Sequence, residues 1–175
     1  MKKFRFLLLD AGPILKLFEV GLWEPFIDKC DVTVCRTVAE EARWASREFV
    51  DICIDLDTYC HDGRIRIEDV SLSQIKTFHD KFDLSYKTQL HDGEKETLAF
   101  LHGSSKDWLM CTADGAVFRT LGLLGRAGQG MSLEKVLAEI GLARQLEWKF
   151  TEQFRCKYTA LGQLDAVRGS GLTQP

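Results

Sequence analysis

The sequence contains no run of about 18 apolar residues, so it offers no candidate for a membrane-spanning helix. Its opening Met1-Lys2-Lys3 carries the charge of a leader's first segment, but the apolar stretch Phe6–Leu9 stops at Asp10, far short of a leader core. A soluble, cytoplasmic protein with no membrane partner is expected. The six cysteines include no Cys-x-x-Cys pair and no tight framework spacing, which removes the common zinc-ribbon and disulfide-scaffold patterns. Reduced thiols are expected, with Cys53, Cys60 and His61 a weak alternative for zinc. A positive surplus is also missing: the net charge of −3 argues against holding nucleic acid by bulk electrostatics. It does not exclude an enzyme that grips phosphate through divalent cations, because such ions reverse the local sign of a carboxylate cluster. No Gly-x-Gly-x-x-Gly follows the first apolar run, and Gly12 stands where a dehalogenase-like phosphatase would want a second Asp. Both of those enzyme classes are disfavoured.

What is present reads as one α/β domain. The chain has 175 residues, 45% of them hydrophobic and 28% charged, enough for one core and short for two. Phe4–Leu9 is a compact apolar run that ends at Asp10-Ala11-Gly12-Pro13, the pattern of a buried strand, a turn and a helix start, with Pro13 in the first helical turn. Asp31–Cys35 reads as a second strand, followed by a helix capped by Thr37 with Val38, Ala42 and Ala45 on one face. Arg64–Val70 alternates like a third strand, and Ser71 or Ser73 caps a helix bearing Ile75, Phe78 and Phe82. Asp92 is the expected cap of a helix bearing Leu98, Ala99 and Leu101, and Trp108–Cys111 is a fourth strand. Ser132 caps a helix to Ile140, Ala143–Tyr158 forms a last helix, and Gly169–Pro175 is a frayed tail. Strands alternating with helices imply a mainly parallel sheet, whose ligands bind at the carboxyl ends of its strands.

Asp10 and Asp114 each stand just beyond an apolar strand and would therefore meet at one edge of such a sheet. Either residue alone is equally well explained as a turn former or helix cap. Glu40 and Glu94 lie early on the helices associated with these strands, and Glu94 shares a face with Leu98 and Leu101, where an ionised group needs a partner. Glu41 and Glu96 are neighbouring candidates with the ordinary role of solvent-facing helix charges. Carboxylates gathered without His or Cys make a hard oxygen site suited to Mg²⁺ or Mn²⁺, ions that serve phosphoryl chemistry. Thr112 is placed to orient a ligand carboxylate. Lys16, Arg36, Arg43, Lys95 and Arg119 offer positive charge near such a site, or are simply solvated. The aromatics Trp44, Phe49, Trp148, Phe150 and Phe154 stack bases or pack the core, with core packing favoured.

These stretches, in this order, resemble the PIN domains. Leu7-Leu8-Leu9-Asp10-Ala11-Gly12-Pro13 is similar to that family's opening strand and turn, and Thr37-Val38-Ala39-Glu40-Glu41 to its second, Glu-bearing motif. Gly93-Glu94-Lys95-Glu96-Thr97-Leu98-Ala99 and Cys111-Thr112-Ala113-Asp114 are similar to the third and fourth. The resemblance implies a Rossmann-like three-layer sandwich over 1–145, with 146–175 as a C-terminal helical segment and tail. It also implies a Mg²⁺- or Mn²⁺-dependent ribonuclease acting on single-stranded RNA, with Asp10, Glu40, Glu94 and Asp114 catalytic and metal-binding, and Glu96 a further ligand. Toxin–antitoxin systems contain many such proteins, so a small antitoxin partner and a homodimer are part of the expectation. Ala11, Ala113 and the long segment Arg47–Gln89 depart from the family's pattern. The alternative is a PIN-like module that binds RNA or protein without catalysis.

Overall fold

Three consecutive leucines, Leu7, Leu8 and Leu9, can be buried together only in a strand covered on both faces, and this is where the structure places them. The computed structural model describes residues 2–173. Strand β1 (Phe4–Leu9) is the middle of a five-stranded sheet, flanked on one side by β2 (Cys30–Cys35) and β5 (Arg66–Glu68). On the other side lie β6 (Leu109–Cys111) and β7 (Gly130–Met131). Every pairing in this sheet is parallel. Side chains alternate across β1: Leu7 and Leu9 enter one apolar cluster with Val32, Val34 and Leu133, whereas Leu8 enters another with Met110, Phe78 and Leu98. Helices therefore cover both faces, and the fold is α/β with a parallel central sheet. One extra residue between Phe4 and Leu7 interrupts the register of β1 on β2, and Phe6 takes up the bulge at φ 58°.

Helix α1 (Ala11–Glu19) starts from Asp10, and α2 (Trp23–Lys29) leads into β2. Helix α3 spans only Arg36–Glu41, so Ala45 does not share its face. The chain turns there into a separate antiparallel hairpin, β3 (Trp44–Arg47) and β4 (Val50–Cys53). Its two-residue turn holds Glu48 and Phe49 at φ 51° and 68°, as a hairpin turn of the primed type requires. Trp44, Phe49 and Val50 are exposed on it. Helix α4 (Leu56–His61) precedes β5, which is shorter than Arg64–Val70.

Ser71 caps α5 (Leu72–His79), leaving Phe82 beyond its end, and Asp83 caps the short α6 (Leu84–Lys87). Helix α7 (Asp92–Gly103) is preceded by His91 as N-cap, not Asp92, and α8 (Gly115–Leu123) by Asp114. Ser132 caps α9 (Leu133–Glu139), as its position before an apolar-periodic stretch implies.

The largest departure from the sequence reading is at the C-terminal end. A 3₁₀ turn at Trp148–Phe150 replaces the middle of the expected Ala143–Tyr158 helix, and α10 runs instead from Glu152, capped by Thr151, to Arg168. Gly162 sits in the middle of α10 because α8 crosses there: a Cβ on Gly162 would stand 1.8 Å from Arg119 O, and one on Gly122 2.2 Å from Thr159 O. Asp165 then fastens the helix, accepting from Arg119 Nε and Tyr86 Oη at 2.6 Å each. Gly169, at φ 69°, ends α10 in the left-handed conformation that glycine adopts without cost. Nor is the tail frayed as far as it is described. Gly171 N donates to Asp83 Oδ2, Leu172 bridges Phe82, and Thr173 N donates to Lys81 O. Gln174 and Pro175 lie outside the described residues. Among the described residues no helix is long and apolar enough to cross a membrane.

Candidate metal centre

In a parallel sheet the first and fourth candidate motifs must converge, and the register makes the convergence specific. Leu9 is paired with Cys111, so Asp10 and Thr112 are the next residues on adjacent strands at the carboxyl edge. The chain leaves β1 towards β2 on one side and reaches β6 on the other, which makes this the switch point where open α/β sheets form a crevice. Helix α7 precedes β6 and runs back across the sheet, bringing its N-terminal turn and Glu94 to the same edge.

The crevice is a cleft of about 400 Å³ lined by Asp10, Glu41, His91, Glu94, Asp114 and Lys149, floored by the turns at Gly12 and Ala113. Asp10 is 7% exposed. Its Oδ1 accepts from Ala11 N at 2.8 Å and its Oδ2 from Thr112 Oγ1 at 2.7 Å. Thr112 Oγ1 in turn accepts from Asp114 N at 3.0 Å, so one hydroxyl orients both acids. Burial raises the Asp10 pKa, and the charge of Asp114 adds to the rise; the bonds from Thr112 and Ala11 oppose it. Asp114 Oδ1 accepts from Ala116 N at 2.6 Å and caps α8. Each Asp is thus a helix cap and a cleft acid at once.

Glu94 is buried to the same degree as Asp10. Its Oε2 accepts from His91 N at 2.8 Å, while Oε1 faces His91 Nδ1 at 3.6 Å, beyond hydrogen-bond reach. Burial pushes its carboxyl up to about 7, with the charges of Asp114 and Asp10 contributing, against the lowering effect of the His91 N–H. Among the described residues, His91, Glu94 and Asp114 form the group whose ligand atoms lie within 4.8 Å of one another. Cys53, Cys60 and His61 form no such group, and all six cysteines are free thiols.

The second motif reaches the cleft through Glu41, the neighbour of the expected Glu40. Both acids are exposed, but Glu40 does not line the cleft, whereas Glu41 reaches it, its Oε2 lying where a Cβ on Gly93 would be 2.9 Å away. One residue turns a helix by 100°, so the last turn of α3 can present only one of the pair. Burial, then the charge of Asp10, raises the Glu41 pKa. Glu96, the further ligand expected, is 4% exposed and its Oε2 accepts from Thr37 N at 2.8 Å. It caps the first turn of α3 from a neighbouring helix, the task expected of the Thr37 side chain, and does not enter the cleft.

The basic residues near these motifs are largely engaged elsewhere: Lys16 with Glu19 and Glu147, Arg36 with Asp57 and Asp69, Lys95 with Asp92, and Arg119 with Asp165. The cation in the cleft is Lys149, from the segment set apart as 146–175. Phe150 and Phe154 of that segment are core residues, while Trp148 beside Lys149 is half-exposed. Neither His91 nor Lys149 stood out in the sequence. His91 is legible in retrospect as the residue just before an acidic helix start, but nothing local marks Lys149.

The residues present fit a divalent cation: two acids, Asp10 and Glu94, have their protonation favoured by burial first and by neighbouring carboxylate charge second, and Glu94 shares with Asp114 and His91 a group of converging ligand atoms. Comparison of the chain with models of known families, with curated proteins and with solved structures finds no match.

Proposed function

We propose that this cleft hydrolyses phosphodiester bonds of single-stranded RNA with a divalent cation, Mg²⁺ or Mn²⁺, held by Asp10, Glu94 and Asp114 and assisted by Glu41. The observation that carries the proposal is the convergence of acids from separate elements, β1, α7 and β6, in one water-accessible cleft with little positive charge of its own. Such crowding raises the free energy of the ionised side chains until a cation neutralises them. A bound ion polarises a phosphate and makes a water nucleophilic at neutral pH.

The chain's own residues supply the rest. Thr112 fixes the Asp10 carboxylate, and the two Asp-capped helix starts hold both acids in place. Lys149 lines the same cleft and is suited to a substrate phosphate arriving there. Trp148, half-exposed next to it, offers a stacking face to an unpaired base, which a duplex would keep hidden. The order of the four acidic motifs and their place on a parallel sheet favour a PIN-like reading; a small antitoxin partner and a homodimer are proposed only with that resemblance.

The test is cleavage of a fluorophore-quencher single-stranded RNA by wild type and Asp10→Asn, with Mg²⁺, with Mn²⁺, and with excess EDTA. Metal-dependent cleavage by wild type alone is expected. Cleavage undiminished by EDTA and shared by the variant overturns the proposal; retained RNA binding without cleavage makes the protein a binding module.

A further inference from the structure

The acids of the cleft are accompanied by an imidazole, and its placement is specific. His91 is the N-cap of α7, and its backbone N–H is bound to Glu94 Oε2, which leaves Oε1 without a hydrogen-bond donor among the described residues. Its ring Nδ1 stands 3.6 Å from that free oxygen, too far to hydrogen-bond and within the spacing of two ligands on one ion. Glu94 is itself 7% exposed, so the open oxygen belongs to a buried side chain. Asp114, across the cleft, completes a group whose ligand atoms lie within 4.8 Å of one another.

We propose that His91 is a ligand of the cation held by this cleft, and that the resulting nitrogen–oxygen set selects a transition-metal ion over Mg²⁺. Mg²⁺ takes oxygen ligands almost exclusively and dehydrates reluctantly. An imidazole favours first-row transition metals, with affinity rising from Mn²⁺ to Co²⁺. The site therefore ranks Co²⁺ above Mn²⁺ and Mn²⁺ above Mg²⁺. The His91 ring is largely solvent-exposed, with a side chain 80% accessible, so it contributes little to the core. Replacing it gives up the ring's capping-box contact with the Glu94 backbone N–H but leaves the His91 backbone N–H that holds the Glu94 carboxylate. This inference rests on the reading of the cleft as a metal site.

The experiment combines calorimetric titration of wild type and His91→Gln with Mg²⁺, Mn²⁺ and Co²⁺, and pulsed electron paramagnetic resonance of the Mn²⁺-loaded wild type. The expected results are a nitrogen-14 coupling of imidazole type in the wild type, and an Mn²⁺ to Mg²⁺ affinity ratio that falls by about 10-fold in His91→Gln while Mg²⁺ affinity changes little. Mn²⁺ bound without nitrogen coupling, or a ratio unchanged by the substitution, overturns the assignment of His91 even if RNA is cleaved. A wild type that binds none of the three ions overturns both this inference and the metal-dependent reading. Nitrogen-coupled Mn²⁺ in a protein that cleaves no RNA leaves His91 a ligand and removes only the nuclease.

Discussion

Replacing Glu94 by Gln removes a charge from a buried place while preserving the oxygen that accepts from His91 N, so its effect isolates the electrostatics of the metal-free cleft. Burial, reinforced by Asp114 and Asp10, raises the Glu94 carboxyl from 4.5 to about 7 in the folded protein. The unfolded chain releases this proton near 4.5, so between the two values the folded state binds more protons. Stability therefore falls as pH rises through that window; the loss is absent below 4.5 and complete above about 7. At 1.36 kcal/mol per pH interval the ceiling is about 3 kcal/mol, which solvent at the open side of the cleft reduces to about 2 kcal/mol. A change of that size moves the melting temperature of a chain this long by roughly 4–8 °C. Metal-free Glu94→Gln should accordingly melt roughly 4–8 °C above wild type at pH 8, by calorimetry in EDTA, and no higher at pH 4.5. Added Mn²⁺ should reverse the order at pH 8, because it stabilises only a state that can hold it. A variant less stable than wild type in EDTA at pH 8, or equally stabilised at both pH values, would show that the buried Glu94 charge does not destabilise the metal-free cleft.

Asp10→Asn should abolish metal-dependent cleavage and most of the thermal shift given by Mn²⁺; a variant that keeps the wild-type shift shows that Asp10 is no ligand. The pair Glu40→Gln and Glu41→Gln separates two adjacent acids: initial rates should fall by about 10-fold or more for Glu41→Gln and stay within about 2-fold of wild type for Glu40→Gln. Equal effects would mean that the orientation of α3 described above is wrong. Glu96→Ala should cost about 2 kcal/mol in denaturant unfolding, with or without metal, because it orphans the Thr37 N–H at a helix start. Loss of metal affinity with unchanged stability would instead place Glu96 in the cleft.

Much of the frame is written locally. An apolar run that halts at an acid marks β1 and β6, and Ser71 and Ser132 mark the starts of α5 and α9, because strand burial and helix capping depend on neighbouring residues. Given parallel strands, Asp10 and Asp114 had to approach one edge, and Thr112 had to lie beside Asp10. The choice of Glu41 over Glu40 was not legible, since it depends on how α3 rotates against α7, and the two acids differ in sequence by one position only. The same holds for Glu96, whose periodicity cannot distinguish a ligand from a cap on a neighbouring helix. The last helix runs past the expected Tyr158 to Arg168, and the missing Cβ of Gly162 is what lets α8 and α10 touch there. That contact also anchors the segment carrying Lys149, which enters the cleft from more than a hundred residues beyond Asp10. The sequence by itself marked four strands of the central sheet, their parallel direction and the acids Asp10 and Asp114 at their ends, but not the β3–β4 hairpin or β7. Tertiary packing alone decided which helix face turned inward and which distant cation and imidazole joined them, because those outcomes arise from contacts between elements and leave no periodic trace within any one of them.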